Sequence, residues 1–184
     1  MYIGKVSDIG IDISMLKLIS MDCKTSKCIH LNCCFSSTKI SETDKERISK
    51  IEGLHKKLRN PIASRVLGVC GFINRDEKIS CVDVPNTEYT CCIFFNINKC
   101  ILEKFDAVPL FCKAFPVLID EKNGRKTMRL DLESNSPCLM DGYKEAYKIL
   151  KEEIILLTNE DFYIELCKQM DSLIEQGFYY HTEK

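Results

Sequence analysis

Three short apolar runs, separated by polar turns, follow one another between residues 61 and 97. Runs of this length that are rich in β-branched residues and bounded by turn residues predict β-strands. The predicted strands cover residues 63–73, 78–84 and 89–96. Gly68 and Gly71 interrupt the first strand, and glycines inside a strand are typical of a bend where a sheet coils. The pattern therefore predicts a β-meander that curves towards a small barrel.

Two further strands are predicted on the C-terminal side of the meander. The apolar run at residues 108–119 contains Pro109 and Pro116, which favours an edge strand or a break. The Asn123-Gly124 pair is the sequence preferred in two-residue β-hairpins, and it leads into a fifth strand at residues 127–132. Five strands with a hairpin between the last two complete a small barrel.

The segment before the meander predicts mixed structure. Residues 1–22 fit a short strand followed by a helical turn, and residues 28–35 fit a second strand. A helix is expected after Ser41 or Thr43 as the N-cap, and Asn60-Pro61 would end it. Its apolar positions at helical spacing are Ile48, Ile51, Leu54 and Leu58.

After residue 138 the apolar spacing becomes helical and predicts two helices, with residues 158–161 as the cap between them. From Asp141 onward there are ten acidic and five basic residues. An apolar stripe with acidic flanks fits packing on the barrel or on a partner protein better than contact with phosphates. The predicted partner-binding residues are Ile154, Leu157, Phe162, Leu166, Met170 and Leu173.

Length and composition fit one compact unit in three segments. These are an N-terminal strand and helix (1–60), a barrel (61–135) and a C-terminal helical pair (136–184). The net charge of −1 excludes a global basic field, so any nucleic-acid binding must use a local patch. No apolar run approaches the roughly 20 residues of a membrane span, and the expectation is an intracellular protein with no membrane partner.

The twelve cysteines favour no disulfide framework, because several lie inside apolar runs where a cysteine thiol packs as a small hydrophobe. One cluster, in residues 23–34, combines cysteines with a histidine, which are residue types that bind zinc. Its spacing, Cys-x4-Cys-x-His-x2-Cys-Cys, matches no standard zinc motif. No cofactor is therefore predicted, and the alternative is a zinc site made by Cys23, Cys28, His30 and Cys34.

The sequence argues against an enzyme. The three histidines lie outside any recognisable nucleophile–base pattern, and no glycine-rich phosphate-binding loop occurs. A helix followed by RVLGVCGF resembles the entry to the MPN isopeptidase fold, but such enzymes need a His-x-His pair that this chain lacks. An inactive MPN-like scaffold stays an alternative.

Candidate nucleic-acid contacts are basic residues, which would follow a phosphate backbone, and aromatic residues, on which bases would stack. For each of them the plain alternative is a solvated turn residue or a core aromatic. The densest basic patch surrounds the Asn123-Gly124 hairpin. The candidates are Arg65, Lys78, Tyr89, Phe94, Lys113, Arg125, Lys126 and Arg129.

The stretch from Asn60 to Leu132 and the helix after it resemble the OB-fold domains in the middle subunits of replication protein A and of the telomere-capping CST complex. The resemblance is carried by Asn60-Pro61-Ile62, SRVLGVCGF, a strand ending in Val82-Asp83, and TCCIFF. The family's Asp-Asp-x-Thr-Gly turn is altered here, since residues 83–88 read DVPNTE. Such a resemblance implies a five-stranded OB-like barrel whose following helix packs on a smaller partner.

These observations predict a mainly β protein with flanking helices: a five-stranded OB-like barrel plus a C-terminal helical pair. The expected function is that of a non-catalytic, nuclear subunit. It would bind single-stranded DNA or RNA and, through its C-terminal helices, another protein subunit. The alternative is a protein–protein adaptor or regulatory factor, in a ribonucleoprotein setting for example, without nucleic-acid contact.

Overall fold

The structure is a computed structural model that describes residues 1–19, 40–54, 81–83, 90–96, 99–131 and 142–180. The chain forms two compact units. Met1–Cys28 together with Ala114–Lys184 is called the sheet unit here, and Ile29–Lys113 the central unit. The sequence predicted three segments with boundaries after residues 60 and 135. Both boundaries lie outside the described residues, so that division stays a prediction.

The sheet unit contains most of the described strands and the C-terminal helices. Its strands are β1 (Tyr2–Val6), β2 (Ile9–Asp12), β3 (Leu18–Ile19), β8 (Val117–Lys122), β9 (Arg125–Leu130) and β10 (Lys144–Glu145). A 3-10 turn, Ile13–Leu16, follows β2, so the expected strand and helical turn near the N-terminus are confirmed. The C-terminal helices are α3 (Ala146–Ile149), α4 (Lys151–Leu157) and α5 (Glu160–Glu175).

Four strands of this unit form a mixed sheet in the order β1-β2-β9-β8. The outer pairs, β1–β2 and β8–β9, are antiparallel, whereas β2 and β9 run parallel. Asn123 and Gly124 have φ values of 54° and 71°. Positive φ at both central residues is the requirement of a type I′ hairpin turn, so the predicted Asn-Gly hairpin is confirmed.

One face of the sheet is covered by the C-terminal helices. Ile11 and Met128 point from β2 and β9 into a core that also contains Leu166 and Met170 of α5. Helix α5 begins where Asn159 Oδ1 accepts a hydrogen bond from the Phe162 backbone nitrogen at 2.8 Å. Helices at the C-terminus and the predicted cap before α5 are therefore confirmed, because a side-chain acceptor at this position satisfies an otherwise unpaired N–H group. The first predicted helix of the pair is divided into α3 and α4.

The central unit has short described elements around a second core. They are α1 (Glu42–Ser49), β4 (Cys81–Asp83), β5 (Thr90–Cys92), β6 (Phe95–Asn96), β7 (Lys99–Cys100), a 3-10 turn (Ile101–Phe105) and α2 (Leu110–Ala114), which ends one residue into the sheet unit. The antiparallel β4–β5 pair confirms that the second and third strands of the meander are neighbours. Ile48, Phe94 and Leu102 are among the residues of this core.

A buried carboxylate, Asp44, ties helix α1 to the start of α2. Ser41 Oγ accepts from the Asp44 backbone nitrogen at 3.1 Å, so Ser41 is the N-cap, and its hydroxyl donates to Asp44 Oδ2 at 2.7 Å. The Leu110 nitrogen also donates to Oδ2, at 3.1 Å, and Arg47 pairs with Oδ1. Burial disfavours the charged form, but these hydrogen bonds outweigh it and lower the pKa of Asp44 below its usual value.

The predicted fourth strand, 108–119, is wrong in its first half. Residues Leu110–Ala114 form a helix, and the strand begins only at Val117. Proline at the start of a helix loses no hydrogen bond, since the first N–H groups of a helix are unpaired anyway. The Cys112 and Lys113 nitrogens accordingly donate to the Pro109 carbonyl. Pro109 therefore starts a helix here, and of the two predicted alternatives, an edge strand or a break, the structure has the break.

A closed five-stranded barrel is not found in the part of the chain that the structure describes. The strands there form the mixed four-stranded sheet and three two-stranded sheets. The first predicted meander strand, 63–73, lies outside the described residues. What the structure supports is the coarser prediction of a β-sheet followed by C-terminal helices.

Candidate nucleic-acid interface

The eight predicted nucleic-acid contacts fall into three groups. Arg65, Lys78 and Tyr89 lie outside the described residues. Phe94 is completely buried in the core of the central unit, so its ring offers no surface on which a base can stack. Lys113 also belongs to the central unit, with its Nζ 3.5 Å from the Asp106 carboxylate.

The remaining three, Arg125, Lys126 and Arg129, all lie on β9 of the sheet unit. Side chains alternate between the two faces of a strand, so Arg125 and Arg129 project away from the helices. Lys126 shares the face of the buried Met128, at the end of the strand, and its Nζ lies 3.4 Å from Asp8. The structure thus brings two of the eight predicted contacts together on one face.

That face of the four-stranded sheet, opposite the helices, is called the outer sheet face here. The β2–β9 register sets Gly10 beside Thr127, and the β8–β9 register sets Lys122 beside Arg125. By alternation and register the outer sheet face consists of Tyr2, Lys5, Gly10, Asp12, Leu118, Asp120, Lys122, Arg125, Thr127 and Arg129.

Tyr2 is the aromatic residue on this face, and its ring lies against Gly10. A Cβ atom at Gly10 would stand only 2.6 Å from Tyr2 Cε2. The absence of a side chain at this position is therefore what allows the ring to approach the strand. Even so, Tyr2 remains 61% exposed. A β-bulge between Tyr2 and Gly4 places Tyr2 on the same face as Lys5.

Basic residues share the outer sheet face with this ring. Lys5, Lys122 and Arg125 are exposed and form no ion pair within the described part of the chain. Arg129 Nε pairs with Asp120 on the same face, and its Nη1 donates to the Leu130 carbonyl at 3.1 Å. The outer sheet face carries four basic side chains and two carboxylates, of Asp12 and Asp120.

The six residues predicted to bind a partner protein are instead part of the core of the sheet unit. Ile154, Leu166 and Met170 are completely buried, and Phe162 nearly so. Leu157 and Leu173 are half-buried and pack against the same cluster. The helices are amphipathic because their apolar stripe covers the sheet of their own chain. A partner surface on these helices must therefore use other residues.

A titratable cluster joins helices α3 and α5 beside this core. The buried Tyr147 hydroxyl donates to Asp171 Oδ1 at 2.6 Å, and Lys148 Nζ lies 3.0 Å from the same oxygen. Burial and the bond to Asp171 raise the pKa of Tyr147. The pairing with Asp171 raises the pKa of Lys148, and bonds from Tyr147 and Lys148 lower that of Asp171. These bonds hold the two helices together.

The predicted alternative zinc ligands, Cys23, Cys28, His30 and Cys34, lie outside the described residues. Within the described ranges, no group of three or more metal-binding side chains comes together. The zinc alternative therefore stays a prediction.

Sequence reasoning missed Tyr2, Lys5 and Lys122 as candidate contacts. The Asn123-Gly124 turn with its basic neighbours was a local signal in the sequence. It led to Arg125 but not to Lys122, which lies on the other side of the turn. Tyr2 and Lys5 had no such signal, since β1 reaches β9 only through the parallel β2–β9 pairing, and the bulge breaks the simple alternation of strand positions. An exposed tyrosine three residues before a lysine is unremarkable in the sequence alone.

Comparison with known protein families, with curated proteins and with solved structures finds no match to this chain. The resemblance to the middle subunits of replication protein A and CST consequently receives no support from them. Of the helices in the described ranges, none combines the length and apolar character needed to cross a membrane.

Proposed function

We propose that this chain is a non-catalytic protein that binds single-stranded nucleic acid on its outer sheet face. One observation carries the proposal: the exposed Tyr2 ring, seated against Gly10, shares the outer sheet face with the exposed side chains of Lys5, Lys122 and Arg125. A base stacks on an aromatic face, and basic side chains contact the phosphates on either side. Both kinds of contact are sequence-tolerant, so the expected binding has little base preference.

The charge of the face supports this proposal although the chain as a whole is almost neutral. Four basic residues make up to four phosphate contacts. For single strands the logarithm of the binding constant falls with the logarithm of salt concentration by about 0.7 per contact, so the expected slope is about −2 to −3. Arg129 is the weakest of the four candidates, because Asp120 already neutralises it.

The resemblance to replication protein A and CST subunits suggests a nuclear nucleoprotein complex with a second protein subunit. A five-stranded OB-like barrel over residues 61–135 is part of the same expectation. Binding at the outer sheet face does not depend on that barrel, since all of its residues belong to the sheet unit.

A protein–protein adaptor is the second candidate. It is favoured by two apolar side chains that the C-terminal helices leave outside the core, Leu156 at 43% and Ile164 at 48% exposure. Apolar residues on an otherwise acidic helical surface suit a protein partner better than a phosphate backbone. This candidate predicts that nucleic acid does not bind.

The test is a fluorescence anisotropy titration of labelled oligothymidylate and oligouridylate, each of about 15 nucleotides, over a salt series. The double variant Lys122→Gln with Arg125→Gln should weaken binding and make the slope smaller by about 1.4. The matched control, Lys144→Gln with Lys168→Gln, removes the same charge from other elements of the unit and should leave the slope unchanged. Failure of the wild-type chain to bind at about 50 mM salt would exclude the proposal.

A further inference from the structure

A cleft opens at one end of the sheet unit, between the β1–β2 turn and the junction of α4 with α5. Its volume is about 410 Å³, within the range of about 300–1,000 Å³ that is typical of ligand pockets. Val6, Phe162 and Leu157 contribute apolar surface to its lining, and the first two of them are core residues. The cleft thus combines apolar surface with access from solvent.

The rim of this cleft is acidic. Asp8 comes from the β1–β2 turn, and Asp161 and Glu165 come from the first two turns of α5. The nearest cations are at its margin, since Lys126 lies 3.4 Å from Asp8 and Lys168 lies 3.6 Å from Glu165. Asp161 makes no ion pair with any described residue. The rim therefore has an excess of negative charge.

We propose that this cleft binds an arginine-containing segment of a partner protein. The charge complementarity of the rim selects a basic occupant, and the apolar lining selects one with an aliphatic stem. Arginine has both, because its methylene groups pack on apolar surface while its guanidinium stays near water. Its planar fork also pairs with two carboxylates better than the compact lysine ammonium does.

This surface is distinct from the outer sheet face. The outer sheet face is basic and would bind nucleic acid, whereas the cleft is acidic and repels phosphate. The two surfaces use different side chains of one unit, so each can be removed without changing the other. The inference therefore stands or falls independently of the proposed function.

The test uses the full chain and a fluorescein-labelled hexapeptide in which two arginines flank a leucine. A second peptide carries citrulline, the neutral isostere, in place of both arginines. We expect saturable binding of the arginine peptide alone. The double variant Asp161→Asn with Glu165→Gln should raise its Kd about tenfold, equivalent to about 1.4 kcal/mol. Both substitutions keep the side-chain shape at exposed positions, and a thermal melt checks that the fold is retained.

Glu121→Gln with Glu175→Gln is the matched control, because both residues are exposed carboxylates of the sheet unit outside the cleft lining. Its Kd should stay within about twofold of the wild type, as expected for exposed charges without a contact. Equal binding of the citrulline peptide, or an equal loss in the control variant, would overturn the inference. A dimer of the chain that only the cleft variant dissociates would also overturn it, because the occupant would then be a second copy.

Discussion

Gly10→Ala is the substitution that should disturb base stacking on the Tyr2 ring, called the stacking platform here, without unfolding the sheet unit. The new Cβ would stand 2.6 Å from Tyr2 Cε2 and 3.3 Å from the Lys126 carbonyl oxygen. The first distance is shorter than real contacts, so the tyrosine ring has to move. Tyr2 is mostly exposed, so its ring can rotate towards solvent. To relieve the second contact, the Lys126 carbonyl has to move by only a few tenths of an ångström.

The expected effect on stability is small and the expected effect on binding is large. Alanine in place of glycine within a strand favours folding by roughly 0.5–1 kcal/mol, which offsets the contact with the Lys126 carbonyl. Loss of one stacked base costs about 1–3 kcal/mol. The Kd for oligothymidylate should therefore rise about 5- to 150-fold, while the free energy of unfolding changes by less than about 1 kcal/mol.

A double-mutant cycle with Tyr2→Ala tests whether the two residues act through one platform. Each single variant removes the same stacked base, so the double variant should bind no more weakly than either one. Anisotropy gives the Kd values, and urea titrations monitored by circular dichroism give the stabilities. Unchanged affinity in Gly10→Ala, or losses that add in the double variant, would refute this account of the platform.

Three further predictions concern stability, each measured by urea unfolding. Asp44→Ala should cost about 1–3 kcal/mol, because it leaves the Leu110 N–H without its acceptor and removes the carboxylate partner of Arg47, and a cost below about 0.5 kcal/mol would contradict this. Leu166→Ala should cost about 2–5 kcal/mol by opening a cavity, whereas the exposed Ile164→Ala should cost less than about 1 kcal/mol; equal losses would contradict the assigned helix orientation. Tyr147→Phe should cost about 1–2 kcal/mol for the lost bond to Asp171, and no loss would show that this bond is not stabilising.

The stability that Asp44 provides should depend on pH in a definite direction. Its pKa is lower in the folded chain than the usual value of 3.8. The stabilisation is therefore fully present above the pKa of the unfolded chain and is lost as the pH falls through the folded pKa. In Asp44→Asn this part of the acid dependence should disappear.

Local sequence signals predicted the elements that depend on neighbouring residues. Asn123-Gly124 defined the hairpin, Ser41 was one of the two residues predicted to cap α1, and the predicted cap at residues 158–161 included Asn159 at the start of α5. The parallel pairing of Ile9 with Lys126 has no such signal, because two distant segments meet only in the folded chain. The order of the described strands could not be predicted from hydrophobic spacing.

In the candidate site, too, residues with a local sequence signal were predicted and residues brought together by long-range strand pairing were not. The basic residues of β9 were predicted because they cluster around a recognisable turn, but Tyr2 joins them only through sheet order and a β-bulge. The apolar stripe of α5 was assigned to a partner, and it covers the chain's own sheet. Helical spacing indicates that a face is buried without indicating what buries it.

The central claim is that single-stranded nucleic acid lies across the outer sheet face. Photo-crosslinking with an oligonucleotide that contains 5-iodouracil, followed by mass spectrometry of the peptides, tests this claim most directly. The account predicts a crosslink at Tyr2, which the Tyr2→Ala variant should lose. Tyr2 lies in the same unit as Lys122 and Arg125, the proposed phosphate contacts. Crosslinks confined to the central unit, or no crosslink under conditions where the oligonucleotide binds, would contradict it.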